Sequence, residues 1–318
     1  MKHIEWGFLI VNYLFLGGLS AGLYFLAALS TLLQKDGEAR FSNIARRGAM
    51  LAPWPVMIGS ALLVFDLGRW YRFYKLMLHF RWASPMSIGT WLLMLFNVLS
   101  ILFLWSWLTS QQRDGLFGHL PGSLKFLSRF NYDLTRMRRV LALLGLPISV
   151  GVGIYTGVLL GAVQSRPFWN TNLVAQLFLL SALSSGCAAL MLSFLGDKQN
   201  SREDVHFLYL LDVVFLALEF FIVLPYIIHG QLSVQPVQDA LQLILGGPFT
   251  VIFWIAFVGT GLLLPLAIEL YETVPTLIGR SPFHINAKMM SVTAVLVLLG
   301  GFLLRYIFVY AGQMSTFN

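Results

Sequence analysis

Residues 206–229 read HFLYLLDVVFLALEFFIVLPYIIH, a run of 24 residues with two carboxylates and no lysine or arginine. At about 1.5 Å per residue it reaches roughly 36 Å as a helix, enough to cross about 30 Å of hydrocarbon. It lacks the strict alternation of a barrel strand, and in lipid its backbone groups need partners within their own segment. The run therefore predicts a transmembrane helix. Apolar stretches of similar length recur on both sides, at about 6–33, 48–68, 86–110, 140–163, 170–195, 247–271 and 288–310, making eight spans with this one as span six. The chain of 318 residues is 58% hydrophobic and only 11% charged, with a mean hydropathy of +0.76. A water-soluble domain would carry roughly a quarter charged residues. The expected fold class is all-α and integral to the membrane.

The loops give the orientation. An even number of spans puts both termini on one side, with Lys2, Arg69, Arg72, Lys75, Arg81 and Arg166. The other side carries Lys35, Arg40, Arg46, Arg47, Arg113, Lys125, Arg129, Arg136, Arg138, Arg139, Lys198, Arg202, Arg280 and Lys288. Six against fourteen puts the termini outside by the positive-inside rule, the periplasmic face of a bacterial inner membrane. The loop 66–85, DLGRWYRFYKLMLHFRWASP, runs against that balance with four basic residues on the outer side. It reads either as a headgroup-level segment anchored by Trp and Tyr or as a docking surface for an acidic partner. The loop 230–247 has no Lys or Arg and is compatible with a short interfacial helix. The net charge of +7 lies in loops, which points to membrane topology and anionic lipid rather than nucleic acid.

Cys187 is the only cysteine, which excludes disulfides, Cys-ligated Fe–S clusters and Cys₄ zinc. The six histidines fall mostly in loops or at span ends and do not pair at mid-membrane, so haem b is not expected and no metal is assigned. Electron chemistry here would need a diffusible carrier such as a quinone.

Intramembrane ionisable residues are costly and mark candidate sites. Asp212, Glu219 and Tyr226 recur every seven residues along span six, hence on one face in steps of roughly 10 Å. Glu269 lies near the inner end of span seven and Arg305 in the outer third of span eight. These five form either a proton path or a structural set in which Glu219 or Asp212 pairs with Arg305. A second group gathers nearer the outside. Tyr13 in span one and Tyr155 in span four lie roughly 10–12 Å from the outer surface, level with Asp66, Ser87 and Trp91. A quinone headgroup needs a donor at each carbonyl, an aromatic wall and a group to exchange protons. A tyrosine near an interface also reads as an aromatic-belt anchor. The run GGLSAG, Gly17 to Gly22, permits close helix approach.

Four stretches together resemble the NrfD/PsrC family, the membrane subunits of polysulfide-reductase-like respiratory complexes. They are NYLFLGGLSAGLY (12–24), DLGRWYRF with FRWASPMSIGTW (66–73, 80–91), YTGVLLGAVQSRPFWNTNLVAQLFLLSALSSG (155–186) and LLGGFLLRYIFVYAGQ (298–313). They cover most of the chain in order, with Trp70 standing where the family often has Pro. The resemblance implies two four-helix bundles. The first comprises residues 1–139 completed by 140–163, and the second residues 164–318. It implies a menaquinone or ubiquinone site in the first bundle near the outer face, a multi-cluster ferredoxin-like Fe–S subunit, usually a molybdopterin catalytic subunit, and no haem. Tyr155 maps to the tyrosine of the family's YTG/YPG motif. Tyr13 maps to a polar or aromatic position where some relatives have His, and Asn12 is a weaker candidate. With the resemblance, Arg69, Arg72, Lys75 and Arg81 become a docking surface for the Fe–S partner. Arg166, Pro167, Trp169 and Asn170 either shape the rim of the site or form a structural turn. The expected role is a quinone-interacting subunit of a respiratory oxidoreductase whose terminal-substrate chemistry resides in a partner. The rival readings are a proton or ion transporter and a structural anchor without a quinone site.

Overall fold

The structure, a computed structural model, describes residues 6–34, 41–66, 80–118, 133–196, 202–279 and 286–315. Eight helices in it are long and apolar enough to cross a membrane. They are Phe8–Leu33, Ser42–Asp66, Pro85–Trp107, Thr135–Gly161, Leu173–Ser193, Arg202–Gln231, Ile252–Leu277 and Ala287–Met314, spans one to eight in order. No strand occurs among the described residues. Each span falls on an apolar run named above. The loop between spans six and seven carries the short helix Gln235–Leu245, which begins next to Pro236.

Local chemistry sets the ends. Ser84 caps span three by accepting from the Ser87 amide at 3.4 Å, and Pro85 occupies the first helical position, where no N–H is needed. Asn286 caps span eight through the amides of Lys288 and Met289. Span two reaches six residues further back than its apolar run, to Ser42, because helix-forming residues including Arg46 and Arg47 extend it out of the hydrocarbon. At its Pro53/Pro55 break the Ser20 hydroxyl of span one donates to the Ala52 carbonyl, the kind of side-chain partner that makes proline tolerable in lipid. Span seven opens with a π-helical stretch, Ile252–Leu263. Thr260 there donates to the carbonyls of both Ile255 and Ala256, and Pro265 follows, withdrawing an N–H that a regular helix would use.

Contacts close spans one to four into one ring and spans five to eight into a second, with span one shared closely between span four and span five. Span five packs against spans one and four, and span eight also reaches span one. Spans one and five are each 67% buried along their most apolar stretch, whereas spans two and six are 33% buried, so the former pair forms the seam and the latter faces lipid. Glycine makes that seam possible. A Cβ on Gly22 would fall 2.1 Å from the Ala182 carbonyl oxygen, and one on Gly186 would fall 2.5 Å from the Gly22 carbonyl carbon. The helices meet backbone to backbone, which is how membrane helices gain packing energy without a hydrophobic drive.

The two ends of the chain are tied together. The Trp6 amide donates to Gln313 Oε1 at 2.8 Å, and Gln313 Nε2 donates back to the Trp6 carbonyl at 2.9 Å. Trp6 stacks on Trp169 at 5.1 Å, and the Trp169 indole donates to the Phe308 carbonyl at 2.6 Å.

Candidate functional site

Two interior sites emerge, one in each ring. The first is built on tyrosines. Tyr13 is 1% exposed and lies close enough to Tyr155 for the two to interact electrostatically. Tyr155 reaches across to span three, where its ring occupies the space that a side chain at residue 89 would take. A Cβ on Gly89 would sit 1.8 Å from the Tyr155 hydroxyl oxygen. Spans one, three and four thus meet at these two phenols. The Tyr13 hydroxyl is fully buried and has no hydrogen-bond partner among the described residues. A buried donor without an acceptor costs about 1–3 kcal/mol. An acceptor from outside the chain would remove that cost, and a quinone carbonyl is an acceptor of the right kind. On this observation the residues present fit the group.

The other residues of the first set lie at differing distances from that centre. Asp66 is half-buried at the end of span two, beyond which the described residues stop. Ser87 is buried and accepts the Arg81 amide at 3.0 Å, holding the start of span three to the preceding turn. Trp91 is turned about 200° from Gly89 around span three, is 38% exposed, and meets Phe80 edge-on at 6.0 Å. It is not brought to the tyrosines. Asn12 donates its amide to the Phe8 carbonyl at 2.8 Å on its own helix. Arg166 donates to the carbonyls of Gln313 and Ser315 at 2.6 and 2.9 Å, placing a cation on the C-terminal end of span eight. Arg81 is exposed, while Arg69, Arg72 and Lys75 lie outside the described residues.

The second site is built on charge. Arg305 is fully buried and donates to Ser181 Oγ at 2.5 Å, the Gly301 carbonyl at 2.8 Å and the Phe178 carbonyl at 3.1 Å, with the Phe178 ring 5.1 Å away. Its guanidinium reaches the seam, where a Cβ on Gly18 would approach it to 3.0 Å. Glu219 faces Arg305 and Ser181. About two turns towards the opposite end, Asp212 of span six and Glu269 of span seven come into contact, with Ser184 beside Asp212. All four carboxyl oxygens of that pair are buried, and none is in hydrogen-bond geometry with a partner among the described residues. Glu272 meets Tyr209 next to them. Tyr226 stands apart, donating to the Phe168 carbonyl at 3.0 Å within an aromatic cluster that includes Phe308.

Sequence reasoning missed Gly89, Ser181 and Ser184. Ser181 and Ser184 belong to SALSSG of span five, which reads as helix packing until the arginine opposite is known. Gly89 carries no signal beyond being small in a span.

Composition and geometry define an integral membrane protein of eight spans with a phenolic site in one ring and a carboxyl–guanidinium site in the other. The chain belongs to the NrfD family: the family model described as "Polysulphide reductase, NrfD" matches residues 1–317. It is 33% identical over 323 residues to Protein NrfD of Escherichia coli (strain K12), an alignment covering 99% of this chain and 97% of that one. It is 32% identical over 318 residues to one of the polypeptides of the Wolinella succinogenes polysulfide reductase, covering 98% of this chain and 95% of the relative. To one of the subunits of the Mesobacillus selenatarsenatis selenate reductase it is 28% identical over 322 residues, covering 93% of this chain and 74% of the relative.

Proposed function

We propose that this chain is the quinone-interacting membrane subunit of a respiratory oxidoreductase. The observation that carries the reading is the buried, unpartnered Tyr13 hydroxyl beside Tyr155. Family membership supports it, since the relatives named above include subunits of polysulfide and selenate reductases. A bound menaquinone or ubiquinone would supply two-electron, two-proton redox chemistry. Tyr13 would donate to one carbonyl, and the Tyr155 ring would form a wall whose hydroxyl offers a second donor. Asp66, half-exposed at the end of span two, would exchange protons with water at that face. In this reading the termini face the periplasm across a bacterial inner membrane. A ferredoxin-like Fe–S subunit docks on the loop that contains Arg69, Arg72, Lys75 and Arg81, and a molybdopterin subunit holds the terminal substrate.

The Asp212–Glu269 contact favours a further element of the same reading. Two carboxyl groups in contact and out of water do not both carry charge, so the pair holds a proton. Together with Glu219, whose charge Arg305 balances, it would pass protons between the second ring and the seam at Gly18, five residues along span one from Tyr13. Tyr226, engaged with Phe168, would support the helix rather than relay.

The test is binding of a fluorescent quinone analogue to the purified chain. Tyr155→Phe is expected to weaken binding about tenfold, the worth of one hydrogen bond near 1.4 kcal/mol. Affinity equal to that of the unaltered chain in both Tyr155→Phe and Tyr13→Phe would remove the quinone site and leave a structural anchor.

A further inference from the structure

The carboxyl pair of the second ring lacks more partners than one proton can supply. Asp212 Oδ1 and Oδ2, Glu269 Oε1 and Oε2 and Ser184 Oγ are all buried. None of these five oxygens is in hydrogen-bond geometry with a partner among the described residues. A proton held between the two acids bridges one oxygen of each. The remaining carboxyl oxygens and the serine stay unmet, and a buried polar atom left so costs stability.

Ser184 is the independent sign that something else belongs there. Several serines buried in these spans turn their hydroxyls back on their own helix. Ser185 donates to the Ser181 carbonyl at 2.7 Å, Ser106 to that of Phe103 at 2.7 Å, and Ser149 to that of Leu146 at 2.7 Å. Ser184 is 1% exposed and makes no such bond, and it lies beside Asp212. Spans five, six and seven therefore present oxygen to one buried place. Glu272 gives an approach to it: three residues nearer the end of span seven, it is partly exposed and meets Tyr209.

A cation would meet all five oxygens at once, and carboxyl and hydroxyl oxygens suit a hard ion. Calcium takes about six to eight oxygens, more than these three residues offer, and magnesium sheds its water reluctantly. An ion of single charge leaves the pair with the same net charge as a proton does, so the two can exchange one for one. Potassium is larger and draws on whole rings of oxygens. Sodium remains.

We infer that Asp212, Glu269 and Ser184 form a site for one Na⁺ ion, which enters in exchange for a proton. The inference rests on the carboxyl pair of the proposed function and not on its quinone site.

Thermal unfolding of the purified full chain in detergent tests this, in choline chloride with NaCl or KCl substituted at constant ionic strength. Na⁺ should raise the unfolding temperature, further with each tenfold in concentration, and K⁺ should not. Ser184→Ala removes one ligand and no charge. Its unfolding temperature in choline should hold, while about ten times more Na⁺ is needed for the same rise. Asp212→Asn should abolish the response. Lowering the pH by one unit should raise the Na⁺ requirement up to tenfold, because a proton competes for the pair. The titratable groups around that pair are Tyr209 and Glu219 of span six, Glu272 of span seven and Cys187 of span five, with Arg305 beyond Glu219. No response to Na⁺, an equal response to K⁺, a response indifferent to pH, or one kept in both variants overturns the assignment. The proton reading is judged apart, in proteoliposomes of the whole complex made without Na⁺. Proton movement that persists there and stops in Asp212→Asn upholds the proton even where the sodium site fails.

Discussion

The two interior sites solve the problem of burying polarity in lipid in opposite ways. In the second ring a full cation is buried, and Arg305 is surrounded by acceptors that the helices themselves provide: Ser181, two carbonyls and the nearby Glu219. In the first ring no formal charge is buried at the centre, and the Tyr13 hydroxyl is left without an acceptor among the described residues. A cation that takes three acceptors from the helices around it, with its Nε left over among the described residues, is held in place by the fold. A site left one bond short is built to receive something. The contrast predicts that substitution of Arg305 will act mainly on folding, and substitution of the two tyrosines mainly on binding.

The largest effect should come from Arg305→Ala. Removing one partner from a buried charge network costs about 3–5 kcal/mol, because Glu219 loses its countercharge and Ser181 and Phe178 lose a donor. Thermal unfolding of the purified chain in detergent should show a severe drop. Adding Glu219→Gln should recover part of it by removing the stranded acid. A double variant no more stable than the single one would break the proposed coupling between these two residues.

Gly89→Leu comes next. The Tyr155 ring already fills the space above Gly89, so any side chain there must push the ring aside. Overpacking of this kind costs about 1–3 kcal/mol in stability. Its effect on quinone-analogue binding should be greater than that of Tyr155→Phe, since the whole ring moves rather than one hydroxyl being lost. Analogue affinity equal to that of the unaltered chain would detach Tyr155 from the site.

How much of this was legible in the sequence depends on whether a signal is local. Length and apolarity are local, so eight spans could be read directly, and span six announced its acids by their sevenfold spacing. The structure still divides that face, since Asp212 turns to Glu269, Glu219 to Arg305, and Tyr226 to a carbonyl. Spacing says which residues share a face, and only the neighbouring helix decides what each one meets. The depth argument brought Tyr13 and Tyr155 to one level, where the structure also has them close. The same argument placed Trp91 at that level, yet depth carries no angle, and Trp91 lies around the helix from Gly89. Arg166 reads as a rim residue from its motif, while its bonds go to the end of span eight, almost 150 residues away in the chain. No pattern along the sequence marks that pairing.

Tyr13→Phe should have a smaller effect on binding and the opposite sign on stability. The hydroxyl has no partner among the described residues, so replacing it by hydrogen removes an unsatisfied buried donor. Stability should stay level or rise by up to about 1 kcal/mol, while analogue affinity falls about tenfold. A loss of stability would mean that the hydroxyl already has a partner in the free protein.

The smallest effect on stability should come from Asp212→Asn. On the proposed reading the pair with Glu269 holds a proton, so an amide of nearly the same shape keeps one donor between the two groups. Stability should change by less than about 1 kcal/mol, because no full charge is created or stranded. What should change is traffic. With asparagine at 212 the pair has a donor that cannot leave, so proteoliposomes containing the whole complex should retain electron transfer to or from quinone and lose any accompanying proton movement across the membrane. Unaltered proton movement would return Asp212 and Glu269 to a packing role and leave the first ring as the sole seat of the chemistry.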